Sequence, residues 1–132
     1  MTYLLDTDTC IFALKQHPRV LQRIVAEARS EVALSVITEA ELRVGVAKSA
    51  LPTRDLRLLE AFLAPFTVLG FVSADAVAYA HVRAKLERAG TPIGPTDTLI
   101  AAHAVARELT LVTNNEREFR RVSGLRVENW LS

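Results

Sequence analysis

Tyr3-Leu4-Leu5-Asp6-Thr7-Asp8 sets three apolar or aromatic residues against an abrupt change to polar ones, with two acids two positions apart. A short strand buried on both faces of a parallel sheet has this pattern: a continuous apolar run, then polar residues at its carboxyl edge. Working outward, Thr9 to Leu14 can form a short helix. Pro18 suits the first position of a helix running to about Arg29, with Val20, Leu21, Ile24, Val25 and Ala28 on one side. Glu31-Val32-Ala33-Leu34-Ser35 is a second short strand, and Val36 to Lys48 reads as a helix. Pro52-Thr53 opens another, with Leu56, Leu59 and Leu63 at helical spacing and an end near Pro65. Thr67-Val68-Leu69 is a weak strand.

Ser73 is a suitable N-cap for the next helix, whose apolar stripe is Ala78, Val82, Leu86 and Ala89 and which Gly90 stops. Gly90 to Pro95 is a loop by its Gly and Pro content. Thr96 can cap a helix to about Glu108. Leu109 to Val112 is a strand that ends in the polar turn Thr113-Asn114-Asn115. Glu116 to Val122 reads as a short helix and Arg126 to Asn129 as a last strand. Strands alternating with helices predict an α/β fold around a parallel sheet, and no linker divides residues 1–132, so one domain is expected.

Composition narrows the classes further. Half of the 132 residues are hydrophobic and 23% are charged, enough for a core and unlike a disordered tail. Sixteen basic against fifteen acidic residues leave a net charge of +1, so no overall field announces a nucleic-acid or membrane partner. A single cysteine, Cys10, excludes a disulfide framework and a cysteine-based zinc site, and no apolar run approaches the ~20 residues of a membrane span. The expectation is a soluble cytoplasmic protein with no membrane partner. Within this even balance the basic residues are thirteen Arg and only three Lys, and three of just five Asp are Asp6, Asp8 and Asp97.

In an open α/β sheet, sites form outside the carboxyl ends of the strands. Asp6 lies there, and Asn115 follows the strand 109–112 onto the same edge. Asp97 falls in the first turn of its helix, where the dipole favours an acid in any case. Glu41 is the most informative residue. Glu39 meets Arg43 one turn on, an ordinary ion pair, whereas Glu41 meets Ile37, Thr38, Val44 and Gly45, with no cation on that face. A carboxylate against apolar side chains is costly unless it is paired, bound to a metal or reaches past the core edge into water. Asp6, Glu41 and Asp97 together with Asn115 would make an oxygen-rich site of the kind Mg²⁺ and Mn²⁺ prefer, provided that they converge. A divalent ion so held suits phosphodiester cleavage.

These residues also carry a family resemblance. Leu4-Leu5-Asp6-Thr7-Asp8, Ser35 to Gly45 (SVITEAELRVG), Ile93 to Ala104 (IGPTDTLIAAHA), Leu111 to Phe119 (LVTNNEREF) and Gly124 to Trp130 (GLRVENW) resemble, in order and spacing, a PIN-domain protein, and more closely a VapC-type toxin of a type II toxin–antitoxin pair. The resemblance spans essentially the whole chain. It implies a three-layer α/β/α fold with a central, mostly parallel sheet of about five short strands. It implies a metal-dependent endoribonuclease in which Asp6, Asp97 and Glu41 hold Mg²⁺ or Mn²⁺. It further implies an RNA substrate, homodimers and an inhibiting antitoxin whose tail enters the acidic site. The family's fourth acidic position falls on Asn115, which leaves a second metal position without its charge, and Asp8 stands where the family often has Asn. Asn115 and Thr113 are then expected to orient ligands or water, with Asp8 in support. Arg117, Arg120 and Arg121 are candidates for RNA phosphates, because the planar guanidinium binds phosphate bidentately.

Other signals lead elsewhere or nowhere. Asp6-Thr7-Asp8-Thr9-Cys10 nearly matches an aspartyl-phosphate phosphatase motif, but Cys10 spoils it, and no Lys follows the strand 109–112 as a phosphorylated receiver would need. His17, His81 and His103 share no metal-ligand spacing. Cys10 reads as a small buried hydrophobe and Trp130 as a core or interface anchor. Leu59, Phe62, Leu63 and Phe66 form an apolar stretch that would suit a dimer surface. The competing function is a catalytically silent RNA-binding PIN-like module, for which the amide at position 115 is the one motive.

Overall fold

The computed structural model describes residues 1–132. Five short strands, β1 (Tyr3–Leu5), β2 (Val32–Ser35), β3 (Thr67–Leu69), β4 (Thr110–Val112) and β5 (Val127–Glu128), form one sheet in the order β3-β2-β1-β4-β5. Every pairing is parallel, with Leu4 opposite both Ala33 and Leu111. The helices are α1 (Thr7–Leu14), α2 (Pro18–Ala26), α3 (Val36–Ala47), α4 (Pro52–Leu63), α5 (Ser73–Arg88), α6 (Pro95–Ala106) and α7 (Glu116–Phe119). No helix is long and apolar enough to cross a membrane.

Alternation along the strands builds the three layers. Leu5, Leu34 and Val112 face one way, into a core with Cys10, Val20, Leu42, Leu59, Leu63 and Trp130 from the side of α1 to α4. Leu4, Ala33 and Leu111 face the other, against Leu86, Ile100, Ala101, Ala104 and Phe119 from α5, α6 and α7. Central strands covered on both faces cannot alternate with polar residues, which is why β1, β2 and β4 read as plain apolar runs. Cys10 and Trp130 are core residues, as expected. Leu59 and Leu63 are also core, 2% and 7% exposed. The expected apolar dimer surface therefore loses both, and only the half-buried Phe62 and Phe66 remain near the surface.

Helix starts depart from the sequence reading, at α1 and α5 because a carboxylate outdoes a nearby hydroxyl. Helix α1 begins at Thr7 rather than Thr9, because the Asp6 carboxylate accepts from Thr9 N–H at 2.8 Å and acts as the N-cap. Ser73 lies inside α5; its N-cap is Val72, whose N–H donates to Asp75 at 2.8 Å. Thr96 lies inside α6, which starts at Pro95 after the N-cap Gly94. Helix α2 ends at Ala26, and residues 29–31 form a separate 3₁₀ turn. Helix α7 closes after Phe119, so Arg120 is its C-cap and Arg121 lies beyond it.

Candidate active site

The strand order reverses direction between β1 and β4: the chain builds outward from β1 to β2 and β3, then returns to lay β4 on β1's other side. At such a switch point the connections leave in opposite directions and open a crevice at the carboxyl ends of the two strands. Asp6 and Thr113 are the residues that immediately follow β1 and β4. Asp6 N–H donates to Val112 O at 3.0 Å, and Thr9 Oγ1 donates to the same carbonyl at 3.1 Å, which ties the two strand ends together.

Asp6 is 4% exposed. Burial raises its pKa, the Thr113 and Thr9 hydroxyls and the Thr9 N–H pull it back, and nearby Asp8 raises it again. Asp97, in the first turn of α6, is pushed up to about 6, by burial first and then by the charges of Glu118, Glu41, Asp6 and Asp8. That order of causes is a map of the site. Asp8 of α1, Glu41 of α3, Glu118 of α7 and Asp6 at the end of β1 all lie close enough to Asp97 of α6 to repel its charge. Asp6, Glu41 and Asp97, chosen from sequence, converge here, and the exposed Asp8 stands beside them. None of the five forms an ion pair with any Lys, Arg or His.

The remaining contacts fix orientation. Glu41 accepts from the Thr7 hydroxyl across from α1, so its partner is a neutral donor and its charge stays uncompensated. Asn115 N–H donates to Thr113 Oγ1 at 2.9 Å, and Asn115 Nδ2 donates to Glu118 at 2.9 Å. Asn115 thus holds the acid three residues on. Glu118 was missed in the sequence because it sits in a charged helix, Glu116-Arg117-Glu118, that reads as solvated. Arg121 lies three residues after Glu118 and Arg120 four residues after Glu116, so both acids have a basic neighbour at helical spacing and the sequence carries no signal that separates them. Thr7 was missed because a single hydroxyl in a polar stretch has no periodicity.

The expected phosphate-binding arginines differ from one another. Arg120 is held by Glu116 at 2.8 Å, the ordinary i,i+4 pair. Arg121 donates from Nη1 to Pro92 O at 3.1 Å. Arg117 is exposed and in no ion pair.

A divalent cation fits this chemistry: five carboxylates with no ion-pair partner, Asp97 pushed up to about 6 by burial and then by the charges of the other four. No three His, Cys, Asp or Glu side chains stand in a ready-made coordination cage. The arrangement is instead an open acidic crevice, the kind suited to an ion that keeps several waters. Beside Glu41 a groove of about 470 Å³ runs between α1, α3 and α4, lined by Ile11, Leu14, Leu42, Gly45, Val46 and Leu58 among others. Ile11 and Leu58 are exposed apolar side chains along it.

Comparisons with known proteins bear on the family and the fold. The PIN domain family model matches residues 3–125. The chain is similar to the tRNA(fMet)-specific endonuclease VapC of Salmonella typhimurium, 42% identical over 98% of both chains. It is 40% identical to ribonuclease VapC2 of Haemophilus influenzae over 99% of both. Among solved structures it resembles the DNA-bound VapBC from Salmonella typhimurium, with TM-score 0.95 and 42% identity over 98% of each chain. With the three-layer fold, the switch-point crevice and its acids in place, the chain belongs to the PIN-domain family, among its VapC ribonucleases.

Proposed function

We propose that this nuclease is a Mg²⁺-dependent endoribonuclease toxin that cuts transfer RNA and is silenced by a cognate antitoxin protein. The observation that carries the reading is Asp97, raised to about 6 among four other carboxylates with no cation paired to any of them. The full-length likeness to a relative named for tRNA(fMet) supports transfer RNA as the substrate class. Asp6, Glu41 and Asp97 are the residues that would hold the ion, with Glu118 adding negative charge where position 115 has only an amide. A bound divalent ion would supply electrostatic stabilisation of the scissile phosphate and lower the pKa of an attacking water.

The chain's own groups do the rest. The Thr9 N–H fixes the rotamer of Asp6. Thr7 fixes Glu41, and Asn115 fixes Glu118. Three acids so restrained are preorganised and need not reorder when substrate binds. Arg117, free of an intramolecular ion pair, is the best placed of the three α7-region arginines to meet an RNA phosphate; Arg120 would first have to leave Glu116. The silent RNA-binding alternative rests on Asn115 alone, and the carboxylate that this amide holds weakens its motive.

The groove beside Glu41 supports the antitoxin partner. Its mixed lining, apolar side chains with Lys15, Glu41, Arg54 and Asp55 among them, suits an amphipathic helix or extended segment of another chain, with Glu41 available to a basic side chain of that segment. The DNA-bound VapBC likeness supports such a pairing. Homodimers, expected from the resemblance, would show as twice the 14.5 kDa mass in sedimentation. The deciding experiment is cleavage of a transfer RNA pool by purified protein. Cleavage should need Mg²⁺, stop with EDTA, and fall at least about a hundredfold in Asp6→Asn, Asp97→Asn and Glu118→Gln. Metal-independent RNA binding without cleavage would overturn it in favour of the silent module.

A further inference from the structure

On the far side of the sheet from the groove, a buried polar chain links three helices. His103 of α6 and Ser35, which ends β2 and caps α3, are both fully buried, and His103 Nδ1 lies 2.8 Å from Ser35 Oγ. Ser35 Oγ also accepts from Ile37 N–H at 3.0 Å, the capping bond of α3. On its other side, His103 Nε2 has no partner at hydrogen-bonding distance, but it faces Asp75 Oδ2 of α5 at 3.6 Å. Asp75 is fully buried and is held by Arg107 through Nε and Nη2, both at 3.0 Å, while Nη2 also donates to Gly70 O at 2.9 Å. Phe71 packs edge-on against the imidazole, ring centroids 5.2 Å apart.

Donor bookkeeping sets the direction of this chain. A carboxylate only accepts, so the Asp75 charge 3.6 Å away favours the proton on Nε2, the tautomer that leaves Nδ1 bare. Ser35 Oγ already accepts from Ile37, so its own hydrogen is free to donate to Nδ1. Burial keeps the imidazole neutral by lowering its pKa.

The placement matters because of which helices are joined. Helix α6 carries Asp97 at its start, and α3 carries Glu41 two turns below Ser35. Those two carboxylates repel each other. Resting on the active-site reading above, we propose that His103 is a positioning residue for the acidic site: through Ser35 it holds the start of α3 against α6, and so keeps Glu41 and Asp97 at a fixed separation. Asp75 and Arg107 orient the imidazole from behind. None of the four hydrogen-bonds or ion-pairs with Asp6, Glu41 or Asp97.

The test uses the full chain with Mn²⁺ alone as probe, then RNA. Ser35→Ala and His103→Gln both lose the bond at Nδ1, whereas His103→Asn keeps an acceptor there. In Ser35→Ala and His103→Gln, Mn²⁺ affinity measured by calorimetry, and kcat, should each fall about tenfold or more, with KM for RNA within about twofold of wild type. His103→Asn should recover most of both. If these variants lose only thermal stability while Mn²⁺ affinity and kcat stay at wild-type values, the proposal is overturned. In the unaltered protein, ¹⁵N NMR should find the neutral Nε2–H tautomer at His103; an Nδ1–H tautomer overturns the chain even where a variant fails to fold. Failure of the wild type itself to bind Mn²⁺ or cleave RNA would instead remove the active-site reading, and the positioning role with it.

Discussion

Asp97 reports on the whole acidic cluster through its proton. Its carboxyl stands at about 6 in the folded chain against 3.8 for an unperturbed one. Between those values the folded protein binds a proton that the unfolded chain has released, so folding is favoured at low pH by this group and the advantage is lost as pH rises through about 6. At pH 7.5 in EDTA, Asp97→Asn is therefore expected to melt at a higher temperature than wild type, and the gap should shrink to a small remainder at pH 4. Thermal scans at the two pH values check this; a variant less stable at pH 7.5 would refute the repulsion. Asp6, Glu41 and Asp97 were legible in the sequence because each combined a sheet-edge or helix-face position with no cation in reach. Glu118 was not, since its role depends on Asn115 turning the side chain of a four-residue helix toward the crevice.

At the scale of elements, interiors were legible and ends were not. Apolar runs and helical stripes are set by burial, which the pattern records directly. Caps are set by competition among neighbours: Asp6 outdid Thr9 as the start of α1, and Asp75 displaced Ser73 at α5 because its carboxylate reaches back to Val72 N–H. Helix α3 offers the clearest element-scale prediction. Gly45 sits within it, and a Cβ there would meet nothing within 4 Å. Gly in a helix costs about 0.8–1 kcal/mol relative to Ala, so Gly45→Ala should stabilise the isolated protein by roughly that amount in urea titrations. Retaining a helix-weakening residue where the groove passes fits a surface kept low for a partner. Gly45→Trp is expected to leave RNA cleavage intact and to weaken capture of the antitoxin, read by co-purification.

Across the whole molecule, the net charge of +1 conceals an uneven spread: five of the fifteen acids share one crevice with no cation, while most of the others are paired with arginines. A field this small steers RNA weakly, so binding depends on a few local phosphate contacts. With Arg117 free and Arg120 already paired to Glu116, the salt dependence of single-stranded RNA binding by Asp97→Asn should be shallow. At about −0.7 per phosphate contact, a log–log slope near −2 or flatter is expected in filter binding between 50 and 200 mM salt, both figures being order-of-magnitude guides. A much steeper slope would mean a wider basic footprint than α7 supplies.

The strand order has a last consequence, for the timing of synthesis. Strand β1 is made first, yet its neighbour β4 and the acids on α6 and α7 come from the final third of the chain. Chains emerge from the ribosome at about 5–20 residues per second, and domains fold as units when their parts are available. For most of that interval the nascent chain has Asp6 and Glu41 but no crevice between β1 and β4 in which to use them. The crevice of this ribonuclease therefore cannot form until α7 has followed β1 out of the ribosome, so Asp6 and Glu41 wait for Asp97 and Glu118 before the five acids can share one site.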